Sequence, residues 1–449
     1  MYDGSGGKKM KRKKLLALAL SAVMVMSMAA GCGSNSSSGG GASNSGTGDT
    51  ATEAPADSSG DSQSAPADGE VQAVSLKVWT PEEEMEITQQ MCDKFNEDHP
   101  EFDCTFDIVV VGIDESVNNL ETDADTAADV FLMPSGSIPQ LVEEGLIYPI
   151  TYDQDNVMSL YGEGAIEACS RDGLLYAVPS SPNSWFMYYN KNLYSEDDVK
   201  SLETMMAKDL GDDIANFSCT VHNSWYIEAF FYAAGCTLFG EDGSNPNDCT
   251  WNNEDGFKAG QYLIDLVNNP KYVEDEDGLA GSLMKDGKLA ALCSGTWAAN
   301  DIKEALGDGY AACALPTITI DGKECQLSNF ADYKCHAVKS NTAYPLAAQQ
   351  LCEYLDAPEN QLIRYEEASE TPTALSLLDN PELAEDAAAL ALVAQTQYAT
   401  PQPAISQMNE YWTPAEALGT GIVNKEITEA NLQQQLDALV ESVTTKLAE

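Results

Sequence analysis

The chain has 449 residues, of which 43% are hydrophobic and 21% are charged, so it is too long and too apolar to be a disordered chain. Its length favours two domains over one. Acidic residues outnumber basic ones by 72 to 23, which gives a formal net charge of −49. So acidic a protein is repelled by phosphate backbones and anionic lipid headgroups, and we exclude nucleic acid as a partner.

The start of the chain has the pattern of a bacterial lipoprotein signal peptide. Basic residues cluster before position 15, and a largely apolar run then extends from Leu15 to Ala30. This run is shorter than the roughly 20 residues of a membrane span. Small residues directly precede Cys32, as in the lipobox, where the cysteine thiol is acylated. We predict a signal peptide over residues 1–31 and lipidation at Cys32. An ordinary signal peptide with a chance cysteine is the alternative, and translation can start at Met1 or Met10.

A flexible tether is predicted for residues 32–73. Gly, Ser, Ala, Asn, Thr, Asp and Pro make up almost all of this segment, and it contains no aromatic residue. Such a composition cannot build a hydrophobic core. We therefore expect an extracytoplasmic protein that is anchored to the outer face of the cell membrane through the lipid on Cys32 and does not span the membrane.

Cysteines and histidines give no metal-binding pattern. Eleven cysteines follow Cys32, without a Cys-x-x-Cys pair, and the chain has three histidines. Structural zinc is therefore not expected. Cys293 and Cys313 lie in apolar runs, which predicts buried free thiols. A disulfide between Cys325 and Cys335 across a hairpin is one possibility that the sequence leaves open.

Strands and helices alternate along the body of the chain. The predicted strands are residues 74–79, 104–111, 129–133, 174–179 and 186–190. Thr80, Pro81 and Glu83 match a capping box at the start of a helix that ends near His99. A short helix over residues 138–144 is closed by Gly145, and the part from Pro381 onward is mostly helical. The order predicts an α/β protein with mainly parallel sheets.

Five segments, in this order, resemble the maltose- and maltodextrin-binding family of extracellular solute-binding proteins. They are Leu76-Lys77-Val78-Trp79 with a helix ending at residues 94–98; Ala127 to Phe131 with Glu144 to Ile147; Gly173 to Pro179 with Tyr188 to Lys191; Asp286 to Leu292 with Ser294 to Trp297; and Pro401 to Trp412 with a closing helix over residues 427–440. Together they cover nearly the whole body of the chain.

The resemblance implies a periplasmic-binding-protein-like fold, in which two α/β lobes are joined by a three-crossing hinge and the ligand lies in the cleft between them. Carried onto this sequence, the N-terminal lobe takes residues 74–181 plus 330–370. The C-terminal lobe takes residues 182–329 plus 371–449. A ligand in such a cleft contacts both lobes and stabilises the closed form.

Aromatic residues are the first candidates for a sugar site, because a sugar ring presents an apolar C–H face. By resemblance to the family, Trp297 and Trp412 are stacking platforms, with Tyr411 beside the latter. Trp225 is matched to a cleft aromatic of the second lobe, with Tyr226 as the rival. A core position is the alternative for each tryptophan.

Polar candidates come from the same resemblance. Glu83 and Glu84 stand where the family has a pair that bonds sugar hydroxyls, although the capping box also explains Glu83. Glu115 follows the second strand, and a solvated loop acid is its alternative. Asn183 falls at a hinge-region acid of the family, and Asn223 replaces another cleft acid.

Departures from the family pattern concern the identity of the sugar. A Trp–Asp–Arg ligand cluster of the family is replaced here by Met133, Gly136 and Ser137, and a basic residue near the last platform is replaced by Glu416. These changes put maltose in doubt and favour a different carbohydrate.

No hydrolase, zinc-protease or phosphate-loop motif is present in the sequence. We predict a lipoprotein that captures a mono- or oligosaccharide by lobe closure and delivers it to an ABC import permease. It is expected to be a monomer that needs no cofactor or metal and is not an enzyme. A glycan-acting surface enzyme, or a receptor for a peptide or polyamine, are the alternatives.

Overall fold

The structure is a computed structural model that describes residues 71–276 and 278–444. The predicted signal peptide, Cys32 and nearly all of the predicted tether lie outside the described residues. The strands are β1 (Gln72–Thr80), β2 (Phe102–Val110), β3 (Val130–Pro134), β4 (Ser170–Arg171), β5 (Leu174–Leu175), β6 (Ala177–Asn183), β7 (Phe186–Asn190), β8 (Phe217–Cys219), β9 (Tyr272–Glu274), β10 (Ala291–Ser294), β11 (Tyr310–Cys313), β12 (Thr317–Ile320), β13 (Lys323–Gln326), β14 (Phe330–Val338) and β15 (Thr400–Pro401).

Helices follow or separate most of these strands. They are α1 (Met85–Asp98), α2 (Ile113–Thr122), α3 (Ile138–Glu143), α4 (Gln154–Leu160), α5 (Glu163–Ala168), α6 (Leu202–Ala207), α7 (Ser224–Ala233), α8 (Glu254–Val267), α9 (Leu279–Lys285), α10 (Ala299–Leu306), α11 (Pro345–Leu355), α12 (Pro358–Ala368), α13 (Ala387–Thr396), α14 (Asn409–Val423) and α15 (Leu432–Thr444). Helix α3 ends at Glu143, and Gly145 closes it as predicted, because the chain takes a positive φ of 68° at this glycine.

The first lobe is built on a sheet with the strand order β15-β14-β3-β1-β2, and β6 also pairs with β14. Strand β1 runs parallel to β2 and β3, whereas β14 runs antiparallel to β3 and β6. Every second residue of β1 from Val74 to Val78 is buried, and Phe95 of α1 and Phe131 of β3 are fully buried in the same core. This alternation is what one buried face of each strand requires.

The second lobe is built on a sheet with the strand order β11-β7-β10-β8-β9. Strands β8, β9 and β10 are parallel to one another, and β7 runs antiparallel to β10 and β11. Helices α7, α8, α14 and α15 contact one another beside this sheet. Their core includes Trp251, which is fully buried and stacks on Phe231 with ring centroids 4.0 Å apart.

Three chain segments connect the two sheets. The first lies between β6 and β7, the second lies between β13 and β14, and the third follows α12 and leads to α13, which contacts β7 and β11. Residues 400–401 then return to pair with the start of β14. The exact lobe boundaries, 74–181 plus 330–370 and 182–329 plus 371–449, stay our proposal.

The predicted capping box at the start of α1 is wrong. Thr80 is the last residue of β1, where it pairs with Val110, and its side chain hydroxyl is bonded to Thr88 Oγ1 at 2.9 Å. Pro81 precedes a short 3-10 helix, Glu82–Glu84, without a side chain cap. Because the pairing of β1 with β2 includes Thr80, this residue does not cap the helix.

The cysteines from Cys92 to Cys352 are all free, and each of them except Cys313 is buried. Cys293 is buried as predicted, whereas Cys313 is half-buried. The predicted hairpin between Cys325 and Cys335 is wrong, because Cys325 lies in the separate pair β12–β13 and Cys335 lies in the sheet of the first lobe. None of the helices within the described ranges has the length and apolar character that crossing a membrane requires.

Candidate functional site

Two tryptophans follow neighbouring strands of the second lobe. Trp225 lies in the first turn of α7, which follows β8, and Trp297 comes three residues after the end of β10. Because β8 and β10 are parallel, their carboxyl ends meet at one edge of the sheet. Loops at this edge are where ligands bind in open α/β sheets. Both tryptophans are half-buried at the border of the core.

Trp225 belongs to an aromatic cluster that also contains Phe330, Tyr411 and Trp412. The ring centroids of Trp225 and Trp412 lie 6.3 Å apart, and the ring of Phe330 lies 5.8 Å from Trp225 and 6.2 Å from Trp412. Trp412 is half-buried, whereas Phe330 and Tyr411 are fully buried. The hydroxyl of Tyr411 donates a hydrogen bond to the carbonyl oxygen of Ser224 at 2.8 Å. Phe330 and Tyr411 therefore hold the two partly exposed tryptophans in place.

Strand β14 connects this aromatic cluster to Trp297. Phe330, Asp332 and Lys334 alternate along the strand, so their side chains point to the same face. Phe330 contacts the aromatic cluster, and Lys334 Nζ lies 5.5 Å from the ring centroid of Trp297. At about 3.3 Å of rise per residue, the two ends of this row are roughly 13 Å apart. The tryptophans thus stand at the two ends of one line along β14.

Asp332 occupies the middle of that line and holds Asn183. Its carboxylate accepts hydrogen bonds from Asn183 Nδ2 at 3.2 Å and from the backbone N–H of Gly136 at 2.9 Å, and it also accepts one from the Ser135 hydroxyl. Burial raises the pKa of Asp332, and these hydrogen bonds oppose that shift. Sequence reasoning missed Asp332. No pattern in the sequence marks this acid, because its partners lie far away along the chain.

The two glutamates after β1 lie in different environments. Glu83 is exposed, whereas Glu84 is buried and its Oε2 accepts a hydrogen bond from Arg364 Nε at 2.9 Å. Burial raises the pKa of Glu84, and the guanidinium of Arg364 opposes that shift. Arg364 also pairs with Asp356, whose other oxygen bonds His336 at 2.9 Å. Glu84 is therefore tied into an ion-pair network inside the first lobe.

Glu115 and Asn223, the remaining polar candidates, lie at helix starts. Glu115 is exposed in the first turn of α2. Asn223 is the N-cap of α7, and its Oδ1 accepts a hydrogen bond from the backbone N–H of Trp225 at 2.8 Å. Asn223 therefore fixes the start of the helix that carries Trp225. The structure brings Trp225 and Trp412 together directly, and it connects Asn183 and Trp297 to them along β14.

Gly295 makes room for the ring of Trp297. A Cβ atom at position 295 would lie 2.0 Å from Cζ3 and 2.2 Å from Cη2 of that ring. The backbone of Gly295 is extended, with φ of −100° and ψ of −168°, so an alanine there meets no backbone strain. We expect Gly295→Ala to shift the Trp297 ring at a cost of about 1–3 kcal/mol in the free energy of unfolding. Urea unfolding measures the change in stability, and the tryptophan fluorescence of the variant, compared with that of the unaltered protein, reports the shift of the ring.

The control for Gly295→Ala is the same substitution at Gly281, where an added Cβ atom meets nothing within 4 Å. Gly281 lies in α9, so alanine there is expected to stabilise the protein by up to about 1 kcal/mol. If Gly295→Ala leaves both the fluorescence emission and the free energy of unfolding unchanged, the Trp297 ring does not pack against Gly295.

Among residues 71–276 and 278–444, no group of three or more His, Cys, Asp or Glu side chains is placed to hold a metal ion. The site combines half-buried aromatic faces with hydrogen-bonded amides and carboxylates. Aromatic faces with polar groups at their edges suit a ligand that has both C–H faces and hydroxyls.

Comparison with known proteins gives one consistent family. The family model described as bacterial extracellular solute-binding protein matches residues 90–391. The galactooligosaccharide-binding protein of Bacillus subtilis (strain 168) is 30% identical over 398 residues, which cover 85% of this chain and 92% of that protein. The maltooligosaccharide ABC transporter solute-binding lipoprotein of Streptococcus pneumoniae (strain ATCC BAA-255 / R6) is 26% identical and covers 66% of this chain and 72% of that protein.

Solved structures agree with the two-lobe architecture. The protein in a solved structure with acarbose is 30% identical in sequence to this chain, with a TM-score of 0.76. The match covers 82% of this chain and 98% of the chain in that structure. The maltodextrin-binding protein MalE1 from L. casei BL23 without ligand is 25% identical, has a TM-score of 0.71 and covers 83% of this chain and 99% of that chain. The predicted periplasmic-binding-protein-like fold is thereby confirmed.

Proposed function

The chain belongs to the bacterial extracellular solute-binding protein family, and from this premise we propose that it captures an oligosaccharide between its two lobes for import. The three half-buried tryptophans along β14 carry the proposal, because they offer apolar faces at both ends of one line. Relatives that are named for galactooligosaccharide and maltooligosaccharide support a carbohydrate as the ligand class.

The residues that we propose to contact the sugar differ in their roles. Trp297, Trp225 and Trp412 stack on sugar rings, since they are half-buried. Hydroxyls are bound by polar side chains, for which we propose Asn183, Asn223, Glu83 and Glu115. Tyr411 and Glu84, which are buried, act behind the site by holding Trp412 and Arg364.

Delivery and location follow from the same premise. We propose that lobe closure presents the loaded protein to the permease of an ABC transporter, and that the protein acts as a monomer without catalysing a reaction on the sugar. A lipid on Cys32 would hold it at the outer face of the cell membrane, as the similarity to a pneumococcal lipoprotein supports. The negative net charge of the protein does not require a cationic ligand, because a neutral sugar binds without forming an ion pair.

A thermal-shift screen of the full chain in detergent tests the proposal. The ligands are galactooligosaccharides, maltooligosaccharides, monosaccharides, a tripeptide and spermidine. A ligand that binds only the folded protein raises Tm, so we expect a rise with at least one oligosaccharide. A response to the peptide or spermidine alone would overturn the carbohydrate assignment. Chromatography of the sugars after incubation is expected to show no cleavage, and cleavage would favour an enzyme.

A further inference from the structure

Glu370 lies between the two lobes and is almost completely buried. Its carboxylate forms an ion pair with Lys334 Nζ at 2.7 Å, and both side chains are at most 4% exposed. The second carboxylate oxygen accepts hydrogen bonds from Ser181 Oγ at 3.0 Å and from Thr296 Oγ1 at 3.4 Å. One carboxylate thus joins four segments of the chain.

Glu370 and two of its partners lie in or beside the three connections between the sheets. Ser181 lies near the end of β6, just before the first connection, and Lys334 lies in β14, just after the second. Glu370 itself stands in the third connection, two residues after α12. Thr296 belongs to the second lobe and directly precedes Trp297. Glu370 therefore links the hinge to the residue next to the proposed platform.

Lys334 makes a second link to the same platform. Its ammonium group lies 5.5 Å from the ring centroid of Trp297, within the range of a cation–π interaction. Burial lowers the pKa of Lys334, but the carboxylates of Glu370 and Glu84 outweigh burial, and the pKa is raised. The lysine thus stays charged and can attract both the carboxylate and the ring.

The neighbouring residues also join the lobes. Ser369 donates a hydrogen bond to Asn300 Oδ1 at 2.8 Å, and Asn300 Nδ2 donates one to the carbonyl oxygen of Glu367 at 3.4 Å. Asn300 lies in α10 of the second lobe, and Glu367 lies in α12. The segment from Glu367 to Glu370 is therefore a continuous contact with the part of the second lobe that carries Trp297.

We propose that Lys334, Glu370 and Thr296 form a latch that positions Trp297 and holds the second lobe against the hinge, so that these residues set the affinity for the sugar without touching it. The proposal rests on the proposed function for its ligand. A sugar that contacts both lobes binds the closed arrangement, and its apparent affinity falls in proportion to the population of that arrangement. Because the latch holds Trp297 in its position, weakening the latch lowers the population of the arrangement that binds the sugar.

Thr296→Val tests the latch with the smallest change. Valine has nearly the shape of threonine, and Glu370 keeps Lys334 and Ser181 as partners. Because a single hydrogen bond is lost, we expect the affinity for a galactooligosaccharide to fall about fivefold. Lys334→Met, which removes the ion pair and the cation–π contact, is expected to lower it on the order of tenfold or more.

Lys339→Met is the matched control. Lys339 directly follows β14, is nearly buried and pairs with Asp129 at 3.6 Å, and both residues lie in the first lobe. This variant is expected to lose stability and to keep its affinity. A merely structural role of Lys334 would give the same result as Lys339→Met, namely lower Tm with unchanged affinity.

Amide hydrogen exchange of the full chain in detergent, without ligand, tests the latch independently of the proposed sugar binding. We expect exchange to become about fivefold faster in peptides containing Thr296 or Glu370 in the Thr296→Val variant, and to stay unchanged there in Lys339→Met. Unchanged exchange and affinity in Thr296→Val and Lys334→Met would overturn the latch. Faster exchange in a protein that binds no sugar would keep the latch and reject the carbohydrate function.

Discussion

Replacement of Trp297 by alanine is expected to weaken oligosaccharide binding by about 30-fold or more, with the fold retained. An aromatic ring in the centre of a binding site commonly contributes 2 kcal/mol or more, which corresponds to roughly this factor. The ring lies at the border of the core rather than inside it, so its removal leaves the sheet of the second lobe intact. Isothermal titration calorimetry with the oligosaccharide found by the screen measures the loss.

Trp251→Phe is the control for the tryptophan substitution. Trp251 is fully buried and stacks on Phe231, and phenylalanine at this position keeps an aromatic ring against the buried ring of Tyr411, whose centroid lies 5.5 Å from that of Trp251. Its replacement is expected to lower the free energy of unfolding by about 1–3 kcal/mol and to leave the affinity unchanged. Equal affinities of Trp297→Ala and the unaltered protein would remove Trp297 from the site.

Replacement of Arg364 by leucine is expected to destabilise the protein by about 3–5 kcal/mol, the largest effect on stability that we predict. Arg364 is almost completely buried between Glu84 and Asp356, and its removal leaves two buried carboxyl groups without their cation. Breaking a buried ion pair by removing one partner typically costs this much. Urea unfolding that is followed by circular dichroism measures the change.

Lys94→Ala serves as the comparison for Arg364→Leu. Lys94 pairs with Asp98 at 2.7 Å on the surface of α1, where its side chain is more than half exposed. Exposed pairs within one helix contribute about 0.3–0.5 kcal/mol. A loss below about 1 kcal/mol in Arg364→Leu would show that the network around Glu84 is not what stabilises the first lobe.

Much of the fold could be predicted because its signals are local. The strand over residues 186–190 is predicted with the boundaries that the structure has, since aromatic residues favour strands and a Ser/Pro/Asn segment comes before them. Gly145 ends α3 because only a residue that adopts positive φ easily closes the helix at that point. The two-lobe arrangement came from the family resemblance, and the solved structures confirm it.

The capping box failed because two local signals compete at Thr80. The residue can cap a helix or complete a strand, and pairing with Val110 on β2 decides the outcome. That pairing joins positions 30 residues apart, so no short window of sequence contains it. Similarly, Cys325 and Cys335 are ten residues apart but belong to different sheets.

The polar residues of the site could not be predicted from the sequence, because they too are brought together by contacts between distant parts of the chain. Asp332 contacts Asn183 and Ser135, which are 149 and 197 residues away along the chain. Glu370 contacts Ser181, which is 189 residues away. The chain has 72 acidic residues, and nothing in the sequence distinguishes those that make such contacts from the others. The aromatic candidates were accessible because tryptophan is rare in the chain and the family resemblance assigned each one a place.

Calorimetric titration of the full chain in detergent with a galactooligosaccharide and with a maltooligosaccharide, at low and at high salt, tests the central claim most directly. We predict saturable binding of at least one of these sugars with one site per chain, and an affinity that changes little with salt because the ligand is neutral. The absence of binding heat with both sugars, together with salt-sensitive binding of spermidine, would contradict the claim.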